Sequence, residues 1–254
     1  YDTVVVLPLR DPEARQEVLR QLDQVGDPLL LALPGLAEVV VEVPGRPPRV
    51  VRDVADRWHT VRRSGRHVPA SLVDRPTEER LRPSWHLTWA LPRDPGTPVP
   101  QTLHAPTPTD EPMTWPALLV ATFPLEAARR HVAPGPACDV LVEQVAQAYA
   151  DLLAERAAAG RDVLALVPVG LPAGAVDGAV REAVRRLLPS TPLLAAAEDP
   201  ALLLRPRDAV ALTGPAGADP DAVAALAPHI AGLVHAPRSA GPALSVLGVH
   251  RMAL

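Results

Sequence analysis

The spacing of hydrophobic positions changes along this chain, so a mixture of helices and strands is predicted. Residues 12–25 carry apolar side chains at helical spacing after an Asp-Pro start, and residues 136–159 repeat this pattern over a longer stretch. Residues 85–92 alternate like a half-buried strand, and three large side chains share one face of it: Trp85, Leu87 and Trp89. These patterns predict an α/β (α+β) fold.

Shorter elements fill the rest of the first 160 residues. The opening residues 1–10 are rich in β-branched side chains and predict a strand. Further predictions are a helix over 28–33, strands over 38–43 and 115–125, a strand-like stretch over 50–67 with a hairpin turn at 63–66, a short polar helix or loop over 75–83, and proline-dense loops over 93–112.

The pattern starts again after Gly160, which predicts a second, smaller α/β unit over residues 161–254. Its predicted elements are a strand at 163–169, a helix at 175–188, an extended piece at 192–197, a strand at 208–213, a last helix at 221–226 and a strand at 231–236.

The amino-acid composition excludes several kinds of catalytic and binding site. The net charge is -4, and all 25 basic residues are arginine because the chain contains no lysine. A P-loop lysine, a Schiff base and a lysine general base are therefore excluded. No asparagine is present either, which excludes sites that hold a metal through Asn. The acidic balance does not favour a nucleic-acid partner.

The chain ends, the apolar runs and the single cysteine bear on where the protein is located and whether it is a segment of a longer polypeptide. No signal peptide and no membrane-length apolar run is evident, so a cytoplasmic location without membrane contact is expected. Cys138 has no partner for an internal disulfide, and we expect it to pack as a small hydrophobic residue. The chain begins in strand-like sequence without methionine, which favours a segment of a longer polypeptide.

The strongest chemical candidate is the stretch ATFPLEAARRHVAPG at 121–135, where Arg129 and Arg130 follow the end of a predicted buried strand. Arginine is always charged and binds phosphate through two nitrogens. The alternative is a salt bridge from this pair to Glu126 or Asp151, or a charge that merely ends the strand. Other chemistry is weaker: the eight histidines have no metal-ligand spacing, and Asp110 and Glu111 are expected to be an exposed acidic pair that turn formation explains.

Four stretches resemble the region that follows the nucleotide-binding domain in sacsin-like proteins, GHKL ATPases related to the ninety-kilodalton heat-shock chaperones. TVVVLPLR at 3–10 is similar to the closing strand of their ATP-binding domain. LLLALPGLAEVVVEV at 29–43 is similar to the segment that comes next. LHAPTPTDEPMTWPALLVATFPLEAARRHV at 103–132 and the helix ending QAYADLLAE at 147–155 resemble their arginine-pair region.

The resemblance implies a domain organisation and a site. Residues 1–10 would be the last strand of an ATP-binding domain, 11–160 a ribosomal-protein-type transducer domain with a mixed sheet and packed helices, and 161–254 the smaller α/β domain. Arg129 matches the arginine that contacts the ATP γ-phosphate in this family, and Arg130 would support it. ATP and Mg²⁺ would be bound only through the N-terminal ATP-binding domain, and this chain alone would bind neither.

Two other functions stay open. A non-catalytic structural or protein-interaction module of the same ancestry is favoured by departures from the family pattern at Thr122 and Ala133. A DNA-repair-type relative would use a lysine that this chain lacks. The expected partners are the N-terminal ATP-binding domain of the same polypeptide and client proteins, without nucleic acid or membrane.

Overall fold

The computed structural model describes residues 3–215, 217 and 219–253, which form a mixed α+β fold. The helices are α1 (Pro12–Gln24), α2 (Asp27–Ala32), α3 (Val54–Arg57), α4 (Thr77–Arg80), α5 (Pro136–Ala158), α6 (Ala175–Leu187), α7 (Pro220–Leu226) and α8 (Gly241–Leu247). The strands are β1 (Glu38–Val41), β2 (Arg49–Arg52), β3 (Trp58–Arg66), β4 (Ser84–Pro92), β5 (Thr102–His104), β6 (Pro108–Pro112), β7 (Leu118–Ala121), β8 (Leu194–Ala195), β9 (Leu203–Leu204), β10 (Val210–Thr213), β11 (Leu233–Val234) and β12 (His250–Ala253).

The main sheet has five strands in the order β3-β4-β7-β5-β6. Only the β5 and β7 pair is parallel, and the other neighbours are antiparallel. All four residues of β7 are buried, as expected for a strand that is covered on both faces. Because it contains both parallel and antiparallel pairs, the main sheet is mixed, as the resemblance implies.

Helix α5 covers one face of this sheet. Its long apolar stripe packs on the row of side chains predicted from the alternation in β4, and the Trp89 indole donates to the Val145 carbonyl oxygen at 2.9 Å. The opposite face of the sheet is covered by a smaller cluster that includes Leu31 of α2 and Trp58 of β3. The predictions for α2, α5 and β4 are confirmed.

Residues after Gly160 build a second sheet of three parallel strands in the order β11-β10-β12. Helix α7 covers one face of it, with Val223 packed on Leu212 and Leu233. The side chains of α6 and α8 join the same hydrophobic core as α5, so apolar packing runs without a break from the main sheet into this part of the chain.

The structure differs from two predictions for the first 67 residues, one of a turn and one of a strand. Residues 63–66 are not a turn but the end of β3, where Arg66 pairs with Ser84 of β4. Gly65 indicated a turn, but it allows the Trp85 ring to lie against the backbone instead. Residues 3–9 form no strand and are exposed, while Tyr1 and Asp2 lie outside the described residues.

Three further differences lie in short or proline-rich segments. Residues 163–169 are not a strand, because Val163, Leu166 and Val167 are buried at helical spacing around a 3₁₀ turn at Leu164–Leu166. The proline-dense stretch predicted as loops contains β5 and β6. Helix α7 is not the last helix, because α8 and β12 follow it.

Replacing Gly65 tests the close contact between its backbone and the Trp85 ring. A Cβ at position 65 would lie 2.5 Å from Cζ2 of Trp85, which is itself buried. We expect Gly65→Ala to lower the free energy of unfolding by about 1–3 kcal/mol through overpacking. Urea denaturation measures this loss, and Gly35→Ala is the matched control because no atom lies within 4 Å of its added Cβ. Equal effects of the two substitutions would contradict the packing.

Candidate functional site

The segment after β7 forms a narrow hairpin, and Arg129 and Arg130 lie at its tip. Leu125 and Val132 form an antiparallel bridge across it. The amide of Glu126 donates to the carbonyl oxygen of His131 at 3.0 Å. These backbone bonds fix a short turn over residues 126–131.

Arg129 has an unusual backbone conformation in this turn. Its φ is 56°, in the left-handed region that non-glycine residues rarely adopt, and its amide donates to the carbonyl oxygen of Glu126 at 2.8 Å. The side chain is exposed, and no carboxylate among the described residues lies within 4.0 Å of its guanidinium. The turn thus presents an exposed cation without an ion pair in the described part of the chain.

Arg130 instead ties the hairpin to β6. Its Nε donates to Oδ2 of Asp110 at 2.6 Å, and the Asp110 amide donates to the Arg130 carbonyl oxygen at 2.8 Å. The predicted alternative of a bridge to Glu126 or Asp151 is wrong for this residue, since Asp151 accepts from Arg63 at 2.6 Å. The two adjacent arginines therefore have different environments.

The acidic pair of β6 has a structural role that the sequence did not reveal. Asp110 binds Arg130, and Oε1 of Glu111 accepts from the Val132 amide at 2.9 Å and lies 3.3 Å from Nδ1 of His131. The Glu111 side chain is only 12% exposed, so the prediction of an exposed turn is wrong for it. Both carboxylates anchor the arginine hairpin to the main sheet.

An open cleft of about 670 Å³ lies beside the tip of the hairpin. One wall is the hairpin from Phe123 to Arg129, and the other is the connection between β3 and β4, including α4. The lining carries both signs of charge, with the cations Arg75, Arg82 and Arg129 and the acids Asp74, Glu78, Glu79 and Glu126. The cleft is therefore not a uniformly basic anion-binding site.

Arg75 joins the two walls of this cleft. Its side chain is 9% exposed, and its Nε and Nη2 donate to the Glu79 carboxylate at 2.7 and 3.0 Å. Nη2 also donates to the Leu125 carbonyl oxygen at 2.9 Å, at the base of the hairpin. The bond to Glu79 is the main cause that raises the pKa of Arg75 above its usual value. Arg75 is thus held as a structural cation, unlike Arg129.

His67 and Asp74 complete the lining of the cleft. Burial lowers the pKa of His67, which favours the neutral imidazole, and its Nδ1 has no hydrogen-bond partner among the described residues. A Cβ on Gly135, the N-cap of α5, would lie 2.5 Å from Oδ2 of Asp74. A carboxylate of this chain therefore already lies beside the first turn of α5, where anions are stabilised.

The single cysteine, Cys138, is an unreactive thiol in this structure. Burial, followed by the charges of Asp139 and Glu111, raises the pKa of Cys138 to about 11. The thiol is buried and protonated at neutral pH, as the sequence predicts. No cluster of three potential metal ligands occurs within the described ranges, and none of the helices described there is both long and apolar enough to cross a bilayer.

The sequence identified the arginine pair but not its surroundings. Arg75 and Arg82 come from the segment that the sequence indicated only as a polar helix or loop, and His67 comes from the end of the strand-like stretch 50–67. Their distance of about fifty positions from Arg129 leaves no spacing signal, because the pairing of β3 with β4 brings them there. The buried side chain of Arg75 is visible only in the folded chain.

Comparison of the chain with protein-family models, with curated proteins and with solved structures gives no match. The resemblance to sacsin-like ATPases therefore stays a prediction that rests on the sequence stretches quoted above.

Proposed function

We propose that this chain is the ribosomal-protein-type transducer segment of a sacsin-like, chaperone-type ATP-binding protein. In this proposal an N-terminal ATP-binding domain of the same polypeptide holds ATP and Mg²⁺, and Arg129 contacts the γ-phosphate. The observation that carries the proposal is the exposed guanidinium of Arg129, which the hairpin presents without an ion pair among the described residues. A guanidinium in this state retains its donors for a phosphate.

The contrast with Arg130 supports a division of roles within the pair. Asp110 neutralises Arg130 and holds its backbone, so Arg130 positions the hairpin while Arg129 is available for phosphate. A cation that is already in place when charge develops on the γ-phosphate stabilises the transition state without reorganisation. Arg130 thus supports the site from the sheet side.

The N-terminal part of the chain supports a neighbouring domain as partner. Val4, Val5, Val6 and Leu7 are between 72% and 81% exposed, and α1 buries none of its residues. Four adjacent apolar residues are apolar on both faces, which is typical of a strand inside a covered sheet. We propose that residues 3–9 complete a sheet of the ATP-binding domain, and that client proteins contact the assembled polypeptide.

Substitution of Arg129 in the complete polypeptide tests the proposal. Loss of one charged hydrogen bond predicts a decrease of about 10- to 100-fold in ATP turnover for Arg129→Ala. ATP affinity should change less, because the contact strengthens in the transition state. Steady-state hydrolysis and nucleotide binding measure the two quantities.

Arg185→Ala is the matched control, since Arg185 is exposed on α6 and belongs to no ion pair among the described residues. It should leave turnover unchanged. Unchanged turnover of Arg129→Ala with the fold intact would refute the assigned contact. Absence of an ATP-binding domain before residue 1 in the polypeptide would refute the proposal as a whole.

A protein-interaction module of the same ancestry is the second candidate function. The exposed apolar residues of the segment 3–9 favour it, because contiguous apolar surface of this kind marks sites of protein contact. This function predicts that Val5→Asp and Leu7→Asp abolish partner binding, whereas Arg129→Ala leaves it intact. The ATPase function predicts instead that Arg129→Ala lowers ATP turnover.

A further inference from the structure

A second cavity, of about 460 Å³, lies away from the Arg129 cleft and shares no lining residue with it. It lies between the end of β4, the loop 93–101, the segment before β7 and the last turn of α5. The volume is within the range of about 300–1,000 Å³ that is usual for small-ligand sites. Its lining is mainly apolar and includes Leu91, Trp115, Leu166 and three prolines, Pro92, Pro95 and Pro116.

The lining of this cavity contains two opposite charges, Arg156 and Asp162. Nε of Arg156 donates to the backbone carbonyl oxygen of Asp162 at 2.9 Å, which places the two residues side by side. The Asp162 carboxylate accepts from the Leu164 amide at 2.9 Å through Oδ1. Arg156 and Asp162 nevertheless form no ion pair with each other within 4.0 Å, and in the described ranges neither terminal nitrogen of Arg156 has an acceptor.

The remaining amide in the lining is already satisfied. Nε2 of Gln101 donates to the carbonyl oxygens of Val99 and Trp115 at 3.1 and 3.3 Å. It therefore closes the wall between the loop and the segment before β7, and it is not a free donor. The charged groups of the lining are the guanidinium of Arg156 and the carboxylate of Asp162, and the hydroxyl of Thr97 is a further polar group.

We propose that this cavity binds a zwitterionic small molecule with an apolar body, of the class of aromatic α-amino acids. The terminal nitrogens of Arg156 fit a carboxylate bidentately, and the Asp162 carboxylate accepts from the ammonium group. The aromatic body of the ligand packs on Trp115, Leu91 and the prolines. A ligand with a single charge would leave either Arg156 or Asp162 without a charged partner in the ligand, so a zwitterion is favoured over singly charged analogues.

Calorimetric titration of the full chain with L-phenylalanine tests this inference without any variant. We expect saturable binding of L-phenylalanine. The affinity should be weaker by about 10-fold or more for 3-phenylpropionate, which lacks the ammonium, and for phenethylamine, which lacks the carboxylate. Glycine, which lacks the apolar body, should not bind measurably. Absence of saturable L-phenylalanine binding, or equal affinity for the singly charged analogues, would overturn the proposal.

Two variants locate the binding. Asp162→Asn keeps an oxygen that accepts from the Leu164 amide but removes the charge, and it should weaken L-phenylalanine binding by about 10-fold or more. Thr97→Trp should block binding by filling the cavity from the loop. Arg185→Ala is the charge control and should bind as the wild type does. Wild-type affinity in both Asp162→Asn and Thr97→Trp would show that the ligand binds elsewhere and would refute the site.

Discussion

Replacing Asp177 with asparagine is expected to lower the free energy of unfolding by about 3–5 kcal/mol, because it removes one partner of a buried ion pair. The side chain is fully buried, and each carboxylate oxygen accepts two hydrogen bonds. Oδ1 accepts from Trp115 Nε1 at 2.6 Å and from Arg181 Nε at 3.2 Å. Oδ2 accepts from Thr114 Oγ1 at 2.7 Å and from the Ala173 amide at 2.8 Å.

Arg181 depends on this carboxylate for its charge balance. Its Nη1 donates to the Val169 carbonyl oxygen at 3.1 Å, its Nη2 donates to the Thr114 carbonyl oxygen at 2.9 Å, and its guanidinium carbon lies 5.5 Å from the Trp115 ring centroid. Only 7% of its side chain is exposed. Asparagine at position 177 would leave this cation buried beside neutral groups alone, which is the main source of the expected loss.

Urea denaturation at neutral pH measures the change, with Glu182→Gln as control on the exposed side of the same helix. The control should change stability by no more than about 0.5 kcal/mol. The double variant Asp177→Leu with Arg181→Met should be more stable than Asp177→Asn, because it removes both charges together. A loss below about 1 kcal/mol for Asp177→Asn would contradict a charged, desolvated pair.

Asp177 also predicts a pH dependence. Burial alone would raise its pKa, but the hydrogen bonds from Ala173, Thr114 and Trp115 and the charge of Arg181 outweigh burial and lower the pKa below 3.8. The folded pKa is therefore below the unfolded value of about 3.9, so this stabilisation is complete above that pH and is lost as the pH falls through the folded pKa. The stability difference between the wild type and Asp177→Asn should shrink in acid.

This network shows what the sequence could and could not reveal. The helix that carries Asp177 and Arg181 is predicted by its apolar spacing, and its start at Ala175 is confirmed. Its partners Thr114 and Trp115 lie more than sixty positions away, just before and at the start of the strand predicted over 115–125. A buried charge pair has no local signature, because it depends on tertiary packing that juxtaposes distant segments.

Local patterns predicted the long elements best. Helix α5 and strand β4 are confirmed because one face of each is continuously apolar over several turns or residues. The strands β5 and β9, which were not predicted, have three and two residues, too few for a period to appear. The turn predicted at residues 63–66 is wrong because glycine is typical of turns through its backbone freedom but also permits close contact within a strand, as Gly65 does.

The candidate site is also only partly predictable from the sequence. The arginine pair is visible in the sequence because two cations follow an apolar run directly. The difference between Arg129 and Arg130 is not visible, because it depends on β6 placing Asp110 beside only one of them. The division of 11–160 from 161–254 and the γ-phosphate contact of Arg129 stay predictions.

Replacing Trp89 with alanine is expected to lower the free energy of unfolding by about 3–5 kcal/mol through loss of buried area and the cavity that remains. Its side chain is among the largest that are fully buried, in the contact between β4 and α5. The ring centroids of Trp115 and Tyr149 lie 5.1 and 4.8 Å from that of Trp89. These three rings form the centre of the packing, since Trp115 and Tyr149 also meet edge to face at 4.6 Å.

Trp89→Phe separates ring packing from the hydrogen bond to Val145. It should cost less than Trp89→Ala, because a ring remains while the indole donor and part of its volume are lost. Val4→Ala is the exposed control, with an expected change within about 0.5 kcal/mol, because Val4 is 72% exposed. Urea denaturation and the near-ultraviolet circular dichroism of the aromatic cluster report the result. A loss for Trp89→Ala no larger than that of Val4→Ala would contradict a core centred on these rings, since only a side chain packed on all sides leaves a cavity when it is removed.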